Sequence, residues 1–172
     1  MKKTGFLLVA LALLAVGCGK REVRKSATLN LDLEVEANTD SALTFQSAGI
    51  LRTLTNAGIA EVKDDISRYE LQSIKYSLWE LYGNDSCEFS GSLGIRKIGD
   101  AASTVYYSYN NFDFEPLQEK IAIPFSDAEK QRIQDFLLSG NGLEFVLEGN
   151  LSHKPIHFVM NIELNVDALA EK

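Results

Sequence analysis

Two long segments, one near each end of the chain, alternate between apolar and polar residues. In residues 29–36 every odd position is aliphatic and every even position is polar, and in residues 156–166 every even position is apolar. A period of two predicts β-strands that bury one face in a core and leave the other face in water. A helix would scatter the same side chains around its circumference, so both segments are predicted to be strands.

The rest of the chain contains shorter strand patterns separated by turn sequences such as Gly83-Asn84-Asp85. Together with the two alternating segments, they bring the number of predicted strands to seven. The fold class is therefore mainly β, an antiparallel β-sandwich of immunoglobulin-like general architecture. A partly open barrel is the alternative. The shorter predicted strands are residues 71–81, 86–97, 103–109, 120–123 and 143–150.

One helix is predicted near residues 126–139. Ser126 and Glu129 have the spacing of a capping box, in which each side chain accepts a hydrogen bond from the other residue's backbone N–H. Apolar residues at 133, 136 and 137 then form one stripe, and Gly140 supplies a stop signal. We interpret residues 41–68 as a long connection with short helices, because Gly49 and Gly58 interrupt its patterns.

The first 18 residues have the layout of a secretory signal, with Lys2 and Lys3 before an apolar run over residues 6–16. This run is shorter than the roughly 20 residues that a membrane-spanning helix needs. Its ending, Ala15-Val16-Gly17-Cys18, resembles the lipobox of bacterial lipoproteins. The resemblance implies that residues 1–17 are removed as a signal peptide and that Cys18 carries a covalent lipid such as palmitate. An ordinary signal peptide with an incidental cysteine is the alternative.

The resemblance also implies a location and a domain organisation. Residues 18–27 would be a lipid-anchored tether, and residues 28–172 a single β-sandwich domain in the bacterial cell envelope. The outer membrane is preferred because Gly19, and not Asp, follows the cysteine. Lys20, Arg21, Arg24 and Lys25 would face an anionic leaflet or form a solvated tether. The order of these parts is similar to that of small β-sandwich lipoproteins of uncharacterised function. This resemblance implies no functional residues for the chain.

Enzymatic chemistry and nucleic-acid binding are not expected. The chain has 17 Lys and Arg residues against 24 Asp and Glu residues, and this acidic balance repels phosphate backbones. Residues 90–94 lack the first glycine of a nucleophile elbow, and no phosphate-binding glycine loop is present. His153 and His157 lie in an extended region with Pro155 between them, so no metal site is predicted. No cofactor is expected apart from the lipid on Cys18.

The second cysteine, Cys87, has no disulfide partner if Cys18 carries a lipid. It shares a strand face with Phe89, so we expect it to be buried as a small apolar side chain.

The candidate binding segment is residues 106–114, where five aromatic residues are interleaved with Asn and Asp. Flat apolar rings beside amide groups suit stacking on a sugar. Alternation places Val105, Tyr107 and Tyr109 on one face and Tyr106 on the other. The proposed ligand-binding residues are Tyr106, Tyr109, Asn110, Asn111 and Phe112.

These observations predict a membrane-anchored cell-envelope lipoprotein that acts as a non-enzymatic interaction module for an unknown ligand. The expected partners are the membrane, through the lipid, and an envelope protein or a glycan. One alternative is a glycan-binding module that uses residues 106–114. The other is a structural or assembly subunit of an envelope complex.

Overall fold

The two alternating segments pair with each other in antiparallel orientation over 16 residues, from Glu22 opposite Glu171 to Ala37 opposite Ile156. The computed structural model describes residues 21–38, 43–83, 87–101, 104–113, 119–153 and 155–171. The strands are β1 (Glu22–Ala37), β2 (Thr44–Arg52), β3 (Ile66–Gly83), β4 (Glu88–Lys97), β5 (Thr104–Asp113), β6 (Ile121–Ala122), β7 (Gly142–Leu151) and β8 (Ile156–Glu171). A 3₁₀ turn (Thr53–Thr55) and two helices, α1 (Ala57–Ala60) and α2 (Asp127–Gly140), complete the elements.

The strands form two four-stranded antiparallel sheets, which confirms the predicted β-sandwich. Sheet I has the order β1-β8-β3-β6, and sheet II has the order β2-β7-β4-β5. The described residues contain eight strands in place of the seven predicted. The first strand pairs with the last and the second with the seventh. This nesting is the double Greek key, or jelly roll, form of the sandwich.

The core lies between the sheets and is built from the inward-facing alternate residues of both. In sheet I, Phe158 is fully buried, and Leu33 opposes Met160 across the β1–β8 ladder. In sheet II, Phe89 is buried and its ring lies 6.3 Å from that of Phe158. The half-buried Phe45 contacts both rings, with its ring centroid 5.4 Å from that of Phe89 and 5.9 Å from that of Phe158. The apolar positions of both alternating segments therefore face inward, as predicted.

Helix α2 forms where a helix is predicted and packs against strands of both sheets. The Ser126 hydroxyl accepts a hydrogen bond from the Glu129 N–H, and the Glu129 carboxylate accepts one from the Ser126 N–H, so the capping box is complete. Ile133 and Leu137 are fully buried against the strands. The left-handed residue after the helix is Asn141, with a φ of 52°, and Gly140 is the last helical residue.

Strand β2 was not predicted, because residues 41–68 were interpreted as a connection with short helices. Its inward positions include Ser47 and Gly49, so it shows no apolar alternation. Gly49 lies beside the Leu31 side chain, since a Cβ at this position would be 2.9 Å from Cδ1 of Leu31. Leu31 on β1 fills the space beside Gly49 of β2. The 3₁₀ turn and α1 agree with the short helices expected in this region.

Part of the predicted tether over residues 18–27 lies within strand β1. Strand β1 begins at Glu22, so residues 22–27 belong to sheet I and the domain does not begin at residue 28. Arg24 forms ion pairs with Glu70 at 3.0 Å and Asp167 at 3.2 Å, and Lys25 pairs with Glu61 at 2.9 Å. These basic residues neutralise carboxylates of the domain itself. The predicted signal peptide and Cys18 lie outside the described residues.

Replacing Phe158 with Ala is expected to lower the free energy of unfolding by about 3–5 kcal/mol, because it opens a cavity at the contact between the sheets. Leu138→Ala is the control, since Leu138 is 44% exposed and its loss should cost less than about 0.5 kcal/mol. Urea unfolding followed by circular dichroism measures both. Equal losses in the two variants would contradict the described core.

A methyl group added at Gly149 is expected to destabilise the domain by about 1–3 kcal/mol, since overpacking forces the backbone to move. Gly149 lies opposite Gly91, and a Cβ there would come within 2.4 Å of the Ser90 carbonyl oxygen. At Gly58 a Cβ would approach nothing closer than the Asn56 side chain at 3.3 Å. Thermal unfolding should therefore separate Gly149→Ala from Gly58→Ala, and an unchanged melting temperature for Gly149→Ala would contradict this register.

Candidate functional site

The candidate segment 106–114 is divided between the two faces of β5. Tyr106 is 58% exposed on the outer face of sheet II and Asn110 is also exposed, but Tyr109 is only 4% exposed and points into the core. The side chains of Asn111 and Phe112 lie outside the described residues. A sugar platform made of Tyr106 and Tyr109 together is therefore excluded by the alternation of the strand itself.

Tyr109 belongs to a cluster of tyrosines between the sheets. Its ring lies 4.9 Å from that of Tyr107 and 5.4 Å from that of Tyr76, with both pairs edge to face. Burial raises the pKa of Tyr109, and burial together with the nearby Tyr107 raises the pKa of Tyr76 to about 12. These hydroxyl groups stay protonated at neutral pH, so the cluster packs the core.

Cys87 is buried, as expected, and is 2% exposed. Its Sγ donates a hydrogen bond of 3.1 Å to the carbonyl oxygen of His153. Within the described ranges, no group of three or more His, Cys, Asp or Glu side chains is arranged to hold a metal ion. No helix among the described residues is long and apolar enough to cross a membrane.

A different group of side chains stands out on the outer face of sheet I. It forms two rows across three strands: Glu34 on β1, Val159 on β8 and Trp79 on β3 are opposite one another, and so are Glu36, His157 and Tyr82. We call this area the Trp79 surface and define it by Glu34, Glu36, Trp79, Glu80, Tyr82 and His157. Trp79 is 44% exposed and Tyr82 is 66% exposed.

A β-bulge places both aromatic rings on this face. Trp79 pairs with Val159 and Tyr82 pairs with His157, so β3 has one more residue than β8 between the two pairs. In a regular strand, residues 79 and 82 would point to opposite faces. Because β3 has one extra residue here, both side chains point to the same face. Glu80, within the bulge, adopts a left-handed φ of 51°. A left-handed conformation costs a non-glycine residue about 1–2 kcal/mol, so the packing around the bulge holds Glu80 in place.

His157 lies at the centre of the surface. Its ring stacks on Tyr82 with 5.9 Å between the ring centroids and 23° between the planes. Its Nδ1 is 3.9 Å from Oε1 of Glu34, and its Nε2 is 3.9 Å from Oε2 of Glu80. These separations are too long for hydrogen bonds and short enough for ion pairs when the ring is protonated.

The carboxylates of the Trp79 surface differ from others on the same face of sheet I. Asp167 and Glu70 pair with Arg24. Glu163 pairs with Lys120 and Lys75, and hydrogen bonds from Lys120 and Asn165 lower the pKa of Glu163. By contrast, among the residues that the structure describes, no Lys or Arg lies within 4.0 Å of Glu34, Glu36 or Glu80.

Beside Tyr82 and His157 is a shallow depression of about 210 Å³ whose exposed wall is mostly apolar. Ala37, Pro155 and Ile156 contribute to this wall. Gly83 ends β3 here with a φ of 119°, and a Cβ at this position would lie 2.3 Å from the Pro155 carbonyl oxygen. This close backbone contact fixes the end of β3, and with it the position of Tyr82.

A larger groove of about 610 Å³ lies elsewhere, on sheet II. Its lining is mainly polar, with Thr44, Gln46, Ser92 and Asn150 around Glu148, and it is wide open to solvent. Trp and Tyr side chains are enriched among the residues that dominate binding energy, whereas Ser and Thr are under-represented. We therefore place the candidate site at the Trp79 surface, although its depression is smaller.

Part of this site can be recognised in the sequence. The alternating acidic residues at positions 32, 34 and 36 are visible in β1, but such a row is typical of a solvated strand face. Trp79 and Tyr82 are three residues apart, which in a strand predicts opposite faces. No local pattern marks the bulge that brings them together, because Glu80 is an unusual residue for a left-handed position.

Comparisons with known proteins give no family for this chain. No family model matches it, and no curated protein matches it. Among solved structures, it is similar to Desmodium yellow mottle tymovirus, with 8% identity and a TM-score of 0.40 over 91% of this chain and 85% of that one. It is also similar to turnip yellow mosaic virus, with 6% identity and a TM-score of 0.40 over 90% of this chain and 96% of that one. For mud crab tombus-like virus the identity is 12% and the TM-score is 0.40, over 90% of this chain and 82% of that one.

These neighbours contradict the predicted function, because they are named for viruses and not for lipid-anchored proteins of a bacterial envelope. The membrane-anchored lipoprotein, its envelope localisation and the envelope-complex alternative are therefore wrong. The glycan alternative on residues 106–114 loses one of its five proposed residues, since Tyr109 is buried. A likeness at a TM-score of 0.40 assigns no ligand, partner or assembly to this chain.

Proposed function

We propose that this chain is a non-enzymatic recognition domain that binds a positively charged segment of a partner protein on its Trp79 surface. The observation that carries the proposal is the combination of two exposed aromatic rings with three carboxylates that have no Lys or Arg partner among the described residues. Basic side chains of a partner would supply the missing counter-charges.

The rings and the carboxylates favour the same kind of ligand. A guanidinium or ammonium group over the face of Trp or Tyr gains about 0.5–1 kcal/mol at an exposed site. An exposed ion pair adds about 0–1 kcal/mol. Several such contacts made together by one peptide segment give a weak to moderate affinity that falls as salt is added. Charges of one sign also speed the encounter with a basic partner.

The geometry favours binding over catalysis. Catalytic groups work best where water is excluded, and the Trp79 surface is shallow, with Tyr82 66% exposed. The same carboxylates repel phosphate groups, so a nucleic acid is a poor ligand for this face. A basic protein segment combines the required charge with aliphatic stems that pack on aromatic rings.

Hexa-arginine is expected to bind this surface and to change the fluorescence of Trp79, which is the single tryptophan of the chain. The triple variant Glu34→Gln, Glu36→Gln, Glu80→Gln should weaken binding about tenfold or more at low salt, because it removes the three counter-charges. A fluorescence titration, repeated at higher salt, measures both effects.

The matched control has the same change in net charge at three other exposed positions, Glu88→Gln, Glu119→Gln and Glu148→Gln. It should bind hexa-arginine within about twofold of the unsubstituted protein, because these carboxylates lie away from the Trp79 surface. Equal losses in the two triple variants, or no saturable binding to the unsubstituted protein, would contradict the proposal. Hexa-glutamate serves as the ligand of opposite charge and should not bind.

Tyr82→Ala is expected to weaken hexa-arginine binding about two- to fivefold, the equivalent of one exposed cation–π contact. Tyr106→Ala is the matched control, because Tyr106 is a similarly exposed tyrosine on the other sheet, at 58% against 66%. Isothermal calorimetry compares the two variants. A larger loss for Tyr106→Ala than for Tyr82→Ala would place the binding surface on sheet II and overturn the assignment to the Trp79 surface.

A further inference from the structure

We propose that His157 makes binding at the Trp79 surface pH-dependent, so that protonation of its imidazole ring releases the cationic ligand. The inference rests on the proposed function and concerns the regulation of the same site. It is carried by the position of the ring, which has one carboxylate at each nitrogen and an exposed tyrosine against its face.

The groups that face His157 come from both neighbouring strands. From β1, Glu34 lies 3.9 Å from Nδ1, and Glu36 is directly opposite in the ladder. From β3, Glu80 lies 3.9 Å from Nε2, and Tyr82 stacks on the ring. The next outward residue on β8 itself is Val159, which is uncharged. Every charged group facing the ring among the described residues is therefore a carboxylate.

The neutral and the protonated ring interact differently with these carboxylates. A neutral imidazole carries one N–H and no net charge, so Glu34 and Glu80 remain available to a basic ligand. An imidazolium carries an N–H at each nitrogen and one positive charge. It would lie between both carboxylates at ion-pair distance and would lower the negative charge of the surface by one unit.

The imidazolium also competes for the aromatic ring. Its stacked position on Tyr82 presents a cation to the same π-system that would hold a guanidinium group. Protonation thus replaces two contributions to ligand binding at once, the carboxylates and the ring face. Histidine side chains in general titrate near pH 6.5 and carboxylic acids near pH 4. Binding is therefore compared at pH 7.5 and pH 5.5, a range in which carboxylic acids in general stay ionised.

The chain provides its own control in His153, the other of its two histidines. His153 is exposed, and its Nδ1 lies 3.0 Å from the Ser152 hydroxyl, within hydrogen-bond distance. It does not belong to the Trp79 surface. A substitution at this position removes one titrating imidazole and leaves the carboxylates around His157 unchanged.

Hexa-arginine is a suitable probe because arginine keeps its charge throughout this pH range. Its dissociation constant should rise about tenfold between pH 7.5 and pH 5.5 for the unsubstituted protein and for His153→Gln, the equivalent of one exposed ion pair and one exposed cation–π contact. For His157→Gln and His157→Phe the constant should change less than about twofold over the same range. The phenylalanine variant keeps a ring against Tyr82, and thermal unfolding verifies that both variants fold.

The outcomes separate this inference from the proposed function. Saturable binding that is independent of pH in the unsubstituted protein would overturn the role of His157 and leave the binding surface in place. A pH dependence that persists in both His157 variants, or disappears in His153→Gln, would overturn it as well. Absence of binding at pH 7.5 would reject the proposed function itself, and the switch with it.

Discussion

The pairing of β1 with β8 is the interaction on which the rest of the structure depends. It joins the first and last strands of the described fold over 16 residues, and β8 also pairs with β3 on its other side. Strand β8 is therefore central in sheet I and supplies Phe158, Met160 and Ile162 to the core. Contacts so distant in sequence carry a loop-closure cost, which the long apolar face of the ladder offsets.

The same ladder organises the outer face of sheet I by charge. Towards the carboxyl end of β8, Asp167 and Glu163 are matched by arginine and lysine residues of neighbouring elements. Towards its amino end, the ladder places Glu36 and Tyr82 on either side of His157. One end of the face is neutralised within the domain, and the other combines negative charge with exposed rings. Because exposed ion pairs contribute little to stability, the unmatched end costs the fold little and remains available for a ligand.

Sequence patterns predicted those parts of the fold in which the residue type at each position reflects its local structure or its burial. Alternation identified β1 and β8, and the Ser126–Glu129 spacing identified the start of α2. Strand β2 could not be found in this way, because its inward positions include Ser47 and Gly49, and Leu31 of another strand fills the space beside Gly49. The division of β5 into an exposed Tyr106 and a buried Tyr109 followed from alternation, but which face would be buried depended on the second sheet.

The candidate site escaped prediction because it depends on a departure from regular geometry. If β3 were regular here, Trp79 and Tyr82, which are three residues apart, would lie on opposite faces, and one large ring would point into the core. The left-handed Glu80 carries a local strain of about 1–2 kcal/mol. A strand of 18 residues that is hydrogen-bonded to β8 on either side of the bulge tolerates that strain. Strain is retained where the surrounding structure over-determines it, and here it sets two aromatic rings on one face beside carboxylates that have no Lys or Arg partner among the described residues.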